Sequence, residues 1–189
     1  MVIRPLAGIA TVAAGAAGFF AGSVYTGQVK FGVSGSPAAV SQYIDRLGLV
    51  QELAKDPRYK LHKPWDVDRT IMTKNVMQIE GGIADPLVFV DKLNRGHTIA
   101  VTHCGSRTCG FPYLVHGGLL GLLLEDSLTE AAASMGKTGI KNMRLSYKHP
   151  TLVNQAVIIE TFRTENDKLA GTIVNLKGKT LVKAVSDLK

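Results

Sequence analysis

His116-Gly117-Gly118-Leu119-Leu120-Gly121-Leu122-Leu123-Leu124-Glu125-Asp126 is an apolar run closed by two acids. Leu, Glu and Ala, all good helix formers, dominate 119 to 133, so the run reads as a helix. A helix that is hydrophobic on every side has to be enclosed. The apolar part before the acids is about half of the roughly 20 residues that a bilayer span needs, so enclosure by protein is expected rather than by lipid. Glu125 and Asp126 then fall where water is excluded. Burial disfavours an ionised carboxylate and readies it for proton transfer or nucleophilic attack.

Gly117 and Gly118 leave the first helical turn bare, and unpaired N–H groups there, aided by the helix dipole, suit a carbonyl oxygen that is gaining negative charge. Glu125 follows His116 by nine residues, a rise of about 13 Å at about 1.5 Å per residue. One helix therefore cannot bring both groups to one reacting atom. An active site here needs a second copy of the chain or another segment. The alternative from residues alone is that the glycines permit close packing and that Glu125 and Asp126 mark where the helix surfaces.

The string His-Gly-Gly, six apolar residues, then an acid nine places after the His resembles the central helix of the hotdog-fold thioesterase superfamily. It is most similar to the small acyl-CoA thioesterases of the phenylacetate-pathway and mitochondrial type. Met143-Arg144-Leu145-Ser146-Tyr147-Lys148-His149-Pro150 resembles that family's strand ending in an aromatic, two variable residues and Pro. The resemblance covers roughly 75 to 189, and the helix motif is its specific part. It implies an α+β hotdog fold, an antiparallel sheet wrapped around one long central helix, in a homodimer or hotdog heterodimer. By position it places the catalytic carboxylate on Glu125 and the carbonyl-polarising N–H on Gly117, with His116 shaping the turn. Gly118, Thr138 and Lys148 are the candidate substrate-binding residues. Asp126, about 100° further round the helix, is the structural acid of the pair. The chain departs from the family at two places. Gly110 stands where close relatives often carry Asn, and Ile140 falls where a Ser or Thr is commonly offered across the dimer, with Thr138 nearby but out of phase on a strand.

Strand patterning supports that fold. Val88, Val90 and Ile99, Val101 lie in two runs separated by the turn signal Asn94-Arg95-Gly96. Met143, Leu145 and Tyr147 alternate with polar or charged neighbours, and strands at 156–164, 169–176 and 181–188 follow. Three regions result: 1–29, an N-terminal hydrophobic membrane anchor or targeting segment; 30–70, a linker and amphipathic helix; and 71–189, the thioesterase-like domain. Residues 5–29 carry no charge and are long enough to span a bilayer. Gly18 and Gly22 form a small-xxx-small face there. A secretory signal fits poorly without Asn-x-Ser/Thr, and a mitochondrial presequence should be richer in Arg and Ser. With the family's mitochondrial members, the reading is a single-pass mitochondrial inner-membrane anchor. Ser36-Pro37 is a helix start, and Val40, Tyr43, Ile44, Leu47, Val50 and Ala54 recur near the helical period until Asp56-Pro57.

The 189 residues, 46% hydrophobic and 20% charged, suffice for a real core and exclude a disordered chain. Cys104 and Cys109, with no further cysteine, read as reduced thiols. The spacing of His103, Cys104, Cys109 and His116 matches no usual zinc site, so no metal is expected. No cofactor is expected either; a coenzyme A thioester enters as substrate. The net charge of +7 is concentrated late in the chain and suits coenzyme A phosphates, anionic lipid or a solvated sheet face. No RNA-binding signature accompanies it, so nucleic acid is not favoured. Two functions follow: hydrolysis of acyl-CoA thioesters by a membrane-anchored hotdog dimer, or a non-catalytic hotdog subunit of a large mitochondrial complex, such as a respiratory complex or the mitoribosome.

Overall fold

A computed structural model describes residues 33–63 and 79–189. Two helices, α1 (Pro37–Asp45) and α2 (Gly48–Lys55), precede strands β1 (Tyr59–His62), β2 (Leu87–Asp91) and β3 (Thr98–Cys104). A small hairpin, β4 (Cys109–Phe111) and β5 (Leu114–Val115), leads into the long helix α3 (Gly117–Ser134). Strands β6 (Ile140–Tyr147), β7 (Gln155–Arg163), β8 (Leu169–Asn175) and β9 (Thr180–Leu188) complete the chain. Seven strands form one antiparallel sheet in the order β1-β2-β3-β7-β8-β9-β6. Strands before and after α3 share that sheet, as the sequence requires, since neither set alone covers the helix.

The inner face of the sheet closes on α3. Leu120, Leu123, Leu124, Leu128 and Ala131 pack against Val88, Val157, Ile159, Ile173 and Val182 in one core. Each leucine so enclosed contributes about 1.5–3 kcal/mol relative to exposure. Gly171 on β8 lets the helix approach closely, for a Cβ there would lie 3.0 Å from Leu124 Cδ2.

The outer face carries a second core. Val40 and Ile44 of α1 with Val50 and Leu53 of α2 cover Leu87, Phe89, Ile99 and Val101. Strand β3 is thus buried on both faces along its whole length, which is why it reads Thr-Ile-Ala-Val-Thr-His-Cys rather than as a clean alternation. Ser36 caps α1, its Oγ accepting from Ala39 N–H at 3.3 Å. The single helix expected from Ser36 to Asp56 is two, because the chain leaves the helical conformation at Leu47 before α2 starts at Gly48. The sheet also starts earlier than the strand pattern indicates: β1 lies inside the stretch 30–70, where the sequence pattern indicates a linker and amphipathic helix.

The enclosure of α3 differs from the expectation. Gly118, Glu125 and Ala133 are exposed and Leu122 and Thr129 half-buried, a stripe at steps of three and four residues that no described element covers. Glu125 is therefore on the surface of the single chain and Asp126 is half-buried. The acid that α3 does bury is Glu130, whose Oε2 lies 3.5 Å from His62 Nε2 on β1. The sheet embraces one side of a helix whose apolar residues run all round. The sequence shows the apolar girth of α3 but not which side the sheet leaves bare.

Among the described residues no helix is long and apolar enough to cross a membrane. The anchor read at 1–29 lies outside the described residues.

The β2–β3 turn is tied by a charged network. Asp91 accepts from Arg58 at 2.8 Å, from the N–H groups of Leu93 and Asn94 at 2.9 and 3.1 Å, and contacts His97 Nδ1 at 3.2 Å. Burial pushes the Asp91 carboxyl up, but these partners outweigh it and hold its pKa at about 2. His97 is raised, chiefly by Glu160 at 3.2 Å and further by Asp91, against the opposing effect of burial. The two groups act with opposite signs. Stability from Asp91 is full above its unfolded value near 3.8 and is lost as pH falls towards 2, about 2 kcal/mol in all. Stability from His97 is full below its unfolded value near 6.5 and is lost as pH rises through its higher folded value. Urea midpoints measured across pH should show both limbs, with Asp91→Asn flattening the acid one and His97→Gln the alkaline one.

Candidate active site

The chain reaches α3 through an anchored turn. Val115 N–H donates to Thr151 O and His116 N–H to Thr108 O, each at 2.8 Å. His116 is the N-cap, with extended backbone, and its Nδ1 accepts from Gly118 N–H at 3.0 Å. The His116 carbonyl accepts from Leu119 and Leu120 N–H at 3.0 and 3.3 Å. The Gly118 N–H, offered by the sequence as a substrate contact, is thus already engaged by its own cap. Gly117 N–H has no acceptor among the described residues. At the first turn of α3 it combines a free donor with the positive end of the helix dipole.

Gly110 has a structural reason. A Cβ there would lie 2.5 Å from His116 Cδ2, so the capping ring occupies the space that any side chain at 110 would need. Ile140 is buried at the start of β6, paired with Leu188, and belongs to the inner core.

Strand β6 runs back along α3 and brings Tyr147 to the helix start. Tyr147 Oη donates to the Gly117 carbonyl at 2.8 Å, and its ring lies 3.3 Å from where a Gly117 Cβ would be. Leu145 approaches Gly121 at 3.0 Å in the same sense. Lys148 follows, exposed, its N–H donating to Leu181 O at 2.7 Å. His116, Gly117, Gly118, Tyr147 and Lys148 therefore gather at one end of α3. Glu125 stands two turns along the bare stripe, and exposed Thr138 follows the opposite end of the helix. Within one chain the structure does not unite the six candidates. Sequence reasoning used Tyr147 only as part of a strand motif; the spacing of Gly117 and Gly121 against Leu145 and Tyr147 was the available signal for its contact.

No group of three metal-ligating side chains occurs among the described residues. The cysteines are separate, Cys104 fully buried with its thiol pushed up to about 12 and Cys109 exposed. Iodoacetamide is expected to label Cys109 in the native protein and Cys104 only after unfolding, which mass spectrometry of the labelled peptides would read. A cleft of about 780 Å³ lies behind the sheet between α1 and the loops at 79–85 and 105–107. None of the six candidates lines it.

No protein-family profile matches the chain. The chain is 29% identical over 155 residues to the uncharacterised mitochondrial membrane protein FMP10 of Saccharomyces cerevisiae, a match that covers 77% of this chain. It spans 59% of the length of that relative. Among solved structures, the thioesterase superfamily protein RHA08564 superposes with a TM-score of 0.50 at 18% identity, covering 90% of this chain and 85% of that one. A hypothetical thioesterase of Streptococcus pneumoniae solved with coenzyme A gives 0.49 at 18% identity, over 53% of this chain and 86% of that one. The fold is the hotdog fold, an antiparallel sheet around a central helix, as the His-Gly-Gly helix motif implied.

Proposed function

We propose that the protein hydrolyses acyl-CoA thioesters as a dimer in which Glu125 of one copy faces the Gly117 N–H of the other. The observation that carries this reading is the Gly117 N–H, a donor without an acceptor among the described residues at the N-terminus of a helix whose flank no described element covers. The bare stripe of α3 borders β6, an edge strand that pairs only with β9 among the described residues. An unpaired edge beside an uncovered apolar helix face is the kind of surface a second copy completes. With Glu125 as general base, water would add to the thioester carbonyl as its oxygen takes the Gly117 hydrogen bond, the carboxylate would take the water proton, and the coenzyme A thiolate would leave. With Glu125 as nucleophile, the carboxylate would displace the thiolate to give a mixed anhydride, which water would then hydrolyse. Lys148, exposed at the same end of α3, would meet a coenzyme A phosphate, and Thr138 would join the site only from the second copy.

The second reading is a non-catalytic subunit of a mitochondrial assembly. Two features favour it: Ile140, buried in the core, offers no hydroxyl, and His116 fills the place of any polar side chain at 110. The likeness to a mitochondrial membrane protein supports a mitochondrial location under either reading, with 1–29 as the proposed inner-membrane anchor. A panel of acyl-CoA substrates with the purified full chain separates them. Hydrolysis above background in a dimeric preparation supports the enzyme. Absence of hydrolysis, with stable co-purification of a large complex, supports the subunit.

A further inference from the structure

The two peptide units that open α3 are held at three of their four polar ends. The His116 carbonyl accepts from Leu119 and Leu120 N–H, the Gly117 carbonyl from Tyr147 Oη at 2.8 Å, and Gly118 N–H donates to His116 Nδ1 at 3.0 Å. The fourth end is the Gly117 N–H. We infer that Tyr147 is a positioning residue which, together with His116, aims the Gly117 N–H at the carbonyl oxygen of the substrate; this rests on the proposed thioesterase reading.

The register of strand against helix explains why Tyr147 can do this. Gly117 and Gly121 are one helical step of four residues apart, a rise of about 6 Å. Leu145 and Tyr147 are two strand residues apart, about 6.8 Å, and point to the same face. The two spacings match, so Leu145 seats on Gly121 and Tyr147 on Gly117. Glycine at 117 lets the ring lie flush against the backbone, which brings the hydroxyl to the carbonyl. Tyr147 is 53% exposed, so burial gives this aromatic little. Its hydroxyl bond and its contact with Gly117 are what the position provides. A donor fixed before the reaction needs no reorganisation as charge develops on the oxygen. Gly118 N–H on His116 Nδ1 and the first helical bond on the Gly117 carbonyl already tie the Gly117–Gly118 unit, and the Tyr147 hydroxyl adds a further tie from outside the helix; fixing that unit fixes the joint at Gly117 to the unit that carries the free N–H.

The test is Tyr147→Phe, which removes the hydroxyl and keeps the ring, read beside Tyr147→Leu, which removes both. Tyr147→Phe is expected to lower kcat about five- to tenfold while KM for the acyl-CoA holds, the loss that one neutral hydrogen bond converts to. The Gly117 and Gly118 amide ¹H–¹⁵N resonances should move, and Gly118 amide exchange should quicken. Wild-type kcat in Tyr147→Phe with a loss only in Tyr147→Leu overturns the inference, because ring packing would then be the whole role. Unmoved Gly117 and Gly118 resonances overturn it as well. Should the wild-type chain hydrolyse no acyl-CoA, the thioesterase reading fails and the resonances decide the positioning by themselves: movement upholds it, constancy removes it.

Discussion

Glu125→Gln is expected to lower kcat for acyl-CoA hydrolysis by about 10²–10⁴, the contribution of a positioned general base, and by more if the carboxylate is the nucleophile. The amide matches the carboxylate in shape but neither takes a proton from water nor attacks a carbonyl. Glu125 is exposed in the single chain, so this exchange should leave the urea midpoint within about 0.5 kcal/mol of wild type. Asp126→Asn, on the neighbouring side of the helix, should keep most of the activity. Stopped assays of thiol release on the two variants, beside their denaturation curves, give both comparisons. A wild-type rate in Glu125→Gln would end the catalytic assignment.

Leu128→Ala should be the most damaging of simple truncations in the core. Leu128 is fully buried at the middle of α3, beneath Gly171 of β8, where backbone and helix already sit close. The helix cannot collapse further onto β8 without moving every neighbour in the inner core. The cavity should therefore persist and the cost be about 2–5 kcal/mol. A lowered urea midpoint with an unchanged denaturant slope would establish it. Leu122→Ala, on the bare stripe, should cost far less in a monomer and more in a dimer, since the side chain is half-buried in the single chain and the proposed second copy would complete its burial.

Much of this architecture was legible because the residues obey one period at a time. The turn Asn94-Arg95-Gly96 is real: Gly96 has φ +87 and its N–H donates to Ser134 Oγ at 2.9 Å, locking the hairpin to the end of α3. Met143, Leu145 and Tyr147 do line the helix-facing side of β6. The strand β1 was not legible, since Tyr59-Lys60-Leu61-His62 is short, polar and half exposed, and pairing with β2 rather than composition makes it a strand. The break between α1 and α2 escaped notice because the apolar period continues through Leu47, which leaves the helical conformation while still facing the core. In the site, the His116 cap and the need for glycine at 110 depend on a ring lying over a backbone, which no spacing rule reports. The exposure of Glu125 agrees with the alternative that the acids mark where the helix surfaces; an apolar helix can be enclosed partly by its own sheet and partly by another molecule, and one chain's sequence does not divide the two.

The central claim is that each site takes Gly117 from one copy and Glu125 from another, and subunit complementation tests it most directly. Gly117→Pro removes the N–H at the first helical position, where proline is well tolerated and His116 already has the extended backbone that precedes proline. Gly117→Pro and Glu125→Gln should each be inactive alone. Co-expressed and purified as mixed dimers, they should recover about half of the wild-type rate, because every mixed dimer carries one intact site of two. No recovery from verified mixed dimers would contradict a site shared between copies.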